Sequence, residues 1–411
     1  MSEVFRLQLV ERANQMIEAR AIGYAHATVP LPFGLGELAG LVADGAFVRV
    51  GRSLYDVLFP EGEVRDSLME ALAVTRAQRQ PLTVQLHLDV DAPNLACYPW
   101  ELIHDGQSFL VADGIVALAR YMDYAQALLP APVQTPLRVL VVSPRPVDLP
   151  EAGDRLSSPI AEALEELRRR RQVQVDQLLP PTYAALREVL SQEAHQVLHF
   201  DGADSAPQLT GDGREPGLVF EDEHGGACPV GGSALYNALF LSKVRLAVLT
   251  PPQSAPMPGL TALCALASSL IRAGVPAVVA MQYALPPEQN RRFTAQLYQS
   301  LAGQVPLGVA VAHARGQLLP AESTRFAPVV YLQDKESKGE LFVGAAEATS
   351  PRPLGHCPSR PGRVSGGYRP DPVFVDRAKA VIQTLQSLAG PSKRVCLWGL
   401  GGVGKTAVAR E

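Results

Sequence analysis

Val244-Arg245-Leu246-Ala247-Val248-Leu249-Thr250-Pro251-Pro252-Gln253-Ser254-Ala255 sets the architecture of the chain. Five of its first six residues are apolar, and four of those five are Val or Leu. A short branched-aliphatic run without polar alternation predicts a strand covered on both faces, as in the middle of a parallel sheet. Pro251-Pro252 removes two backbone donors and fixes φ, so the strand must stop there. In open α/β sheets, ligands and chemistry gather just past the carboxyl ends of the strands. Residues 250–255 therefore occupy the place of a nucleophile, and they offer no obvious one.

The segments around this strand have the same rhythm. Apolar runs at 137–142, 173–178, 196–200 and 277–281 read as strands. Residues 160–170, 183–190, 233–240 and 260–272 read as helices, with Leu164 and Leu167 facing inward from the first. Helices at 287–301 and 307–318 lead to strands at 329–332 and 340–343. Alternating β and α elements imply an α/β fold, a mostly parallel sheet covered by helices on both faces. The N-terminal part is richer in β. Residues 4–10 and 17–24 form a hairpin, and Val64, Leu68 and Leu72 recur at helical spacing. Leu82-Thr83-Val84-Gln85-Leu86-His87-Leu88 alternates apolar with polar, which puts His87 on an outer face. Asp105-Gly106 turns a short hairpin that returns at Phe109-Leu110-Val111, so His104 should be exposed.

Bulk properties exclude several functions. The 411 residues are 47% hydrophobic and 19% charged, a globular composition, and 37 basic residues face 41 acidic ones for a net charge of −4. That balance gives no electrostatic case for nucleic acid or an anionic membrane. The one basic cluster, Arg168 to Arg171, closes a helix and reads as a solvated helix end. Cys97, Cys228, Cys264, Cys357 and Cys396 show no CxxC spacing, which argues for reduced thiols without a disulfide framework or zinc site. No signal sequence and no apolar run of about 18 residues is expected from the pattern. A cytoplasmic location is expected.

Beyond residue 345 the composition changes. Residues 346–372 hold Pro351, Pro353, Pro358, Pro361, Pro370 and Pro372 among Ser and Gly, a linker composition. A helix at 376–388 and a strand at 394–398 then precede Gly399-Leu400-Gly401-Gly402-Val403-Gly404-Lys405-Thr406, which fits GxxxxGK[ST]. Gly399, Gly401, Gly402 and Gly404 would let backbone amides surround phosphate oxygens. Lys405 would reach the β- and γ-phosphates, and Thr406 would offer its hydroxyl to magnesium. Phe374-Val375-Asp376-Arg377, followed by this loop, resembles the start of the STAND class of signalling ATPases, close to the NB-ARC type. The resemblance implies ATP or ADP with magnesium as cofactors of a full-length protein, with Asp376 standing where the family has an adenine-contacting glycine. Residues 373–411 are read as the truncated start of such a domain, expected to bind ATP weakly or not at all by itself.

A second resemblance organises residues 1–345. Tyr98-Pro99-Trp100-Glu101-Leu102 with Phe109-Leu110, Val197-Leu198-His199-Phe200-Asp201-Gly202, residues 246–255, Gly274 to Gln282 and Ala312-His313-Ala314-Arg315 resemble, in that order, the CHAT domain, a caspase-like cysteine peptidase domain. It divides into an N-terminal part (1–130) and a caspase-like core (131–345). Active members read roughly His-Phe-x-Gly-His-Gly and Leu-Asn-x-Cys-x-Ser at two strand ends, the second histidine being the base and the cysteine the nucleophile. This chain reads His199-Phe200-Asp201-Gly202-Ala203-Asp204 and Leu249-Thr250-Pro251-Pro252-Gln253-Ser254. Ala203 stands at the base position and Pro252 at the nucleophile position, so no catalytic residue is assigned. Thiolate attack, its activation and a backbone oxyanion donor are lost together.

Other pairs carry less. His199 reads as a satisfied core histidine. His224-Gly225-Gly226-Ala227-Cys228 brings a histidine near a cysteine, but across a surface turn. Ser254 has no base nearby, Trp100-Glu101 reads as a packing and polar anchor, His26 and His313 have no metal-ligand spacing, His195 opens a strand and His356 belongs to the linker. The expectation is a pseudo-peptidase CHAT domain that binds a protein or peptide and is gated by the ATPase, in signalling or bacterial defence. Any oligomer would form through the ATPase domain, and no cofactor is expected for the CHAT domain itself. Two alternatives are an active cysteine peptidase using Cys228 with His224 or His199, and a scaffold whose only enzymology is the ATPase.

Overall fold

The computed structural model describes residues 4–343 apart from 24, 89–92, 123–130, 133–135, 150–158, 193–194, 206–216, 241, 252–261, 273–274, 283, 320–322 and 334–338. All described residues belong to the unit Met1–Thr349. The linker, the helix at 376–388, the strand at 394–398 and the phosphate-loop residues lie outside them, as do Pro252, Ser254, His356, Cys357 and Cys396.

The chain begins with three antiparallel strands, β1 (Val4–Arg12), β2 (Met16–Ala21) and β3 (Ala25–Pro30). The hairpin expected at 4–24 is therefore followed by a third strand. Helices α1 (Leu35–Ala43), α2 (Phe47–Leu58) and α3 (Glu63–Gln78) come next. The inward row Phe5, Leu7 and Leu9 is buried with Leu54, Phe59, Leu68 and Leu72 from this helical layer. Each fully buried side chain of this kind contributes roughly 1.5–3 kcal/mol. Strands β4 (Leu82–Leu88) and β5 (Val116–Met122) then run parallel to β1.

In β4 all seven residues are buried, contrary to the half-exposed strand that its alternation suggests. The polar row is satisfied inside the protein. Gln85 accepts from Arg6 Nε at 3.2 Å and donates to the Tyr121 hydroxyl at 3.3 Å, and His87 stacks on Tyr121 with centroids 5.2 Å apart. His87 is thus a core residue, because strands on both sides and cover on both faces leave no outer face.

The remaining strands are β6 (Ala131–Pro132), β7 (Leu137–Val142), β8 (Val173–Gln177), β9 (Val197–Asp201), β10 (Asp204–Ser205), β11 (Gly217–Glu221), β12 (Ala227–Gly231), β13 (Leu246–Thr250), β14 (Ala277–Met281), β15 (Pro328–Leu332) and β16 (Phe342–Val343). Between them lie α4 (Pro159–Arg169), α5 (Tyr183–Ser191), α6 (Gly232–Phe240), α7 (Ala262–Arg272), α8 (Pro287–Ala302) and α9 (Leu307–Arg315). The helices start where the chain chemistry permits. Thr182 caps α5 by accepting from Ala185 N at 3.2 Å, and prolines open α8 and α9.

Eleven strands form one sheet in the order β3-β2-β1-β4-β5-β15-β14-β13-β9-β7-β8. Neighbours are parallel except β1/β2, β2/β3 and β14/β15. The strand β13 lies between β9 and β14 with all five residues buried. Strands β10–β12 form a small sheet of their own, and β6 pairs with β16. Successive side chains of a strand point to opposite faces. His199 accordingly meets Tyr298 of α8, whereas Phe200 meets Phe220, which packs on Tyr183 of α5.

The N-terminal strands join the rest through β5 and β15, in a short register of Arg120↔Tyr331 and Tyr121↔Leu332. A buried polar knot sits at this seam. Arg120 pairs with Glu101, and its Nη1 donates to the Ala96 carbonyl at 2.5 Å and the Tyr331 hydroxyl at 3.0 Å. Gln282, just past β14, donates to Glu101 at 3.2 Å and to the Phe326 carbonyl at 3.0 Å. Tyr98 and Trp100 stack on each other at 5.4 Å, their polar atoms bonded to the carbonyls of Phe33 and Leu95.

Candidate functional site

The carboxyl ends of β7, β9 and β13 lie side by side, with Val142 opposite Phe200 and Asp201 opposite Thr250. Gly202 continues the ladder one step, donating its N–H to the Thr250 carbonyl at 3.1 Å. A Cβ at Gly202 would come within 2.8 Å of the Phe200 ring and 3.1 Å of Pro144, so this close passage requires glycine. Ala203 follows, half-buried, and its carbonyl accepts from Val219 N at 3.0 Å as the chain turns into β10. Ala203, the residue expected at the base position, therefore lies in the described turn and carries only a methyl group. On the neighbouring strand Pro251 is buried; Pro252 lies outside the described residues.

Beneath these strand ends the polar groups are sealed in. His199 is buried, with Nδ1 3.0 Å from the Tyr298 hydroxyl and its ring stacked on that phenol at 5.8 Å. Burial holds the His199 imidazole down at about 3, and it pushes the Tyr298 phenol well above its ordinary range. The imidazole is thus neutral. Its Nε2 lies 3.5 Å from Thr250 Oγ1, a long contact, while that hydroxyl donates to the Phe200 carbonyl at 3.1 Å. Thr250 and His199 are 2% and 1% exposed, so a substrate carbonyl has no route to this pair.

Asp201 is likewise committed. Arg145 Nη2 donates to its carboxylate at 2.5 Å, and Nη1 donates to the carbonyls of Asp201 and Pro144 at 2.6 and 2.8 Å. The Arg145 backbone N–H donates to Glu221 Oε1 at 2.7 Å. Arg145 thereby ties the end of β7 to β9 and β11. These bonds orient loops; they activate no nucleophile.

The other candidate residues are scattered. His224 is exposed in the β11–β12 turn, where Asp222 Oδ1 accepts from the backbone N–H of His224 at 2.8 Å and of Gly226 at 2.7 Å. Cys228 is half-buried opposite Phe220 on β11, away from the tip that carries His224. His104 is buried, contrary to expectation. Its Nδ1 accepts from Gly106 N at 2.9 Å and its ring meets Phe109 edge-on at 4.6 Å, because the turn folds back over it. His195 is buried against Asp176 at 2.9 Å, and His26 and His313 are exposed. Glu101 serves the seam, as a polar anchor. Arg168, Arg169 and Arg170 lie exposed beside Glu165 and Glu166. No group of three or more His, Cys, Asp or Glu side chains among the described residues could hold a metal ion. No helix among them is long and apolar enough to cross a membrane.

Sequence reading passed over Arg145 and Tyr298. Arg145 had one local sign, an arginine between two prolines directly after an apolar strand. Tyr298 had none, being 99 residues from His199.

Comparison with known proteins places the chain in a family. Two solved structures of the Saccharomyces cerevisiae separase–securin complex are similar, with TM-scores of 0.37 and 0.35 and identities of 12% and 15%. Each covers 68% of this chain, which spans 18% of the length of the solved chain. No curated protein matches. The model of the CHAT domain matches residues 48–361, more than half of the sequence. The chain belongs to the CHAT domain family.

Proposed function

We propose that this CHAT domain is a pseudo-peptidase, retained as a module that recognises a protein or peptide. The observation that supports it most directly is Ala203 at the base position, in a turn whose neighbouring polar groups are bonded away from solvent. Pro252 at the nucleophile position supports the same reading from the sequence. A peptidase needs a nucleophile, a base within hydrogen-bond reach and an oxyanion donor. The described residues leave no such set at the strand ends. The relocated pair Cys228 and His224 gains nothing from its exposed turn.

In the same reading, Gly399, Gly401, Gly402, Gly404, Lys405 and Thr406 belong to a STAND-type ATPase domain of a longer protein. That domain would bind ATP or ADP with magnesium and gate recognition in cytoplasmic signalling, with defence as one setting. Two measurements test the proposal. Incubation with a broad panel of fluorogenic peptides should release no fluorophore; hydrolysis that iodoacetamide abolishes would overturn the pseudo-peptidase reading. In the full-length protein, Lys405→Ala should abolish nucleotide binding and the signalling output together. Signalling that survives the loss of ATP binding would remove the switch.

A further inference from the structure

The two most exposed large hydrophobic residues of the described chain are Leu179, at 74%, and Val147, at 68%. They do not lie on unrelated surfaces. Val147 follows β7 and Leu179 follows β8, adjacent strands of one sheet, so both stand past carboxyl ends. Both loops are pinned to one hairpin. Val147 N donates to the Gly225 carbonyl at 3.0 Å, and Glu221 N donates to the Pro181 carbonyl at 3.1 Å. Isolated exposed aliphatics need no explanation, but a pair held on a rigid rim by backbone bonds does.

Among the described residues of these loops the exposed charge is one-sided. Asp148, Asp222 and Glu223 are exposed on the same loops. The only lysine or arginine in residues 143–149, 178–182 and 221–227 is Arg145, buried and paired with Asp201. Hydrogen bonds from Gly226 N and His224 N hold the Asp222 carboxyl below its usual range, so it stays ionised. The exposed cations Arg168 to Arg171 and Lys243 precede β8 and β13, at the opposite ends of the strands.

The small sheet beside the rim narrows the docking mode. The bond from Asp222 N to the Gly226 carbonyl sets the β11–β12 hydrogen-bonding register, which turns Ala227 and Pro229 outward on β12. The Ala227 N–H is already taken by Asp148 Oδ1 at 2.8 Å, and Pro229 has none. An added strand would find no free N–H at these two positions. Strand addition next to the turn is thereby disfavoured, and side chains are left as the means of engagement at this rim.

We infer that the rim formed by Val147, Leu179, Asp148, Asp222 and Glu223 docks a partner-protein segment carrying aliphatic side chains flanked by lysine or arginine. The apolar anchors supply burial and the acidic frame supplies steering and selection. This rests on the recognition reading above and deepens it by naming the partner's chemistry.

The test uses the full 411-residue chain and two fluorescein-labelled peptides of about 12 residues, one alternating Lys with Leu and one alternating Glu with Leu. Fluorescence polarisation should report binding of the Lys/Leu peptide only. Binding should weaken at least about tenfold in the double variant Val147→Ser with Leu179→Ser, and several-fold in Asp222→Asn with Glu223→Gln. The melting temperature of the serine variant should be unchanged, because both side chains are exposed. Failure of the Lys/Leu peptide to bind, equal affinity of wild type and serine variant, or equal binding of the Glu/Leu peptide would overturn the inference. Cleavage of the bound peptide would instead overturn the pseudo-peptidase reading and leave the surface standing.

Discussion

Replacing Glu101 by glutamine should destabilise the protein more than any surface change, and the seam gives the size of the effect. The side chains of Arg120 and Glu101 are 1% and 2% exposed, so solvent cannot screen either charge. Glutamine keeps the shape of Glu101 but removes its negative charge. Among its contacts, the Arg120 guanidinium would lose its bond to the Glu101 carboxylate while those to the Ala96 carbonyl and the Tyr331 hydroxyl remain. Removing one partner of a buried pair costs about 3–5 kcal/mol. With a urea slope of about 3 kcal/mol per M, a loss of about 4 kcal/mol lowers the midpoint by about 1.3 M. The pair itself is worth less than its halves, since taking both charges out of water offsets most of their attraction. Glu101→Leu combined with Arg120→Met should therefore recover much of what either substitution loses alone. Urea unfolding of wild type, these two single variants and their combination forms a double-mutant cycle. A Glu101→Gln midpoint within experimental error of wild type, or a double variant as unstable as the sum of its singles, would refute the assignment of the seam to this pair.

Three further outcomes rest on single contacts. Gly51→Ala places a Cβ 2.2 Å from the Leu102 carbonyl oxygen, so α2 must lift from the Trp100 turn and thermal unfolding should move down sharply. Gly202→Ala should also lower the melting temperature, by less, because its nearest atom belongs to the Phe200 ring and not to backbone. His199 is neutral in the fold at a pH where the unfolded chain takes up a proton. Stability due to it is complete above about pH 6.5 and falls as pH drops toward about 3, at no more than about 1.4 kcal/mol per pH unit. The loss of stability between about pH 6.5 and about pH 5.5 should shrink by up to that amount in His199→Phe, measured by urea unfolding at both pH values. An unchanged slope would remove the buried neutral histidine.

Much of the core could be read in the chain because its strands obey one simple rule. Residues 137–142, 246–250 and 277–281 are aliphatic runs between turn signals, and each is a buried strand of the sheet. Alternation misled at β4 for a physical reason: a polar face can be interior when Arg6 and Tyr121 supply partners for Gln85. The same holds for His104, whose exposure depends on how a turn folds back. Ala203 and the glycine before it were visible as positions in a short motif. The groups that surround them were not. Arg145 reaches Asp201 across 56 positions and Tyr298 reaches His199 across 99, distances at which local patterns carry no information. The seam is another such case, joining Arg120 to Tyr331 across 211 positions.

Recognition without cleavage is tested most directly by incubating a proteome-derived peptide library with the purified chain and reading new termini by mass spectrometry. The termini should match those of a buffer control, for the wild type and for Cys228→Ser alike. New termini with a shared sequence preference that vanish in Cys228→Ser, or after a thiol reagent, would contradict the pseudo-peptidase reading.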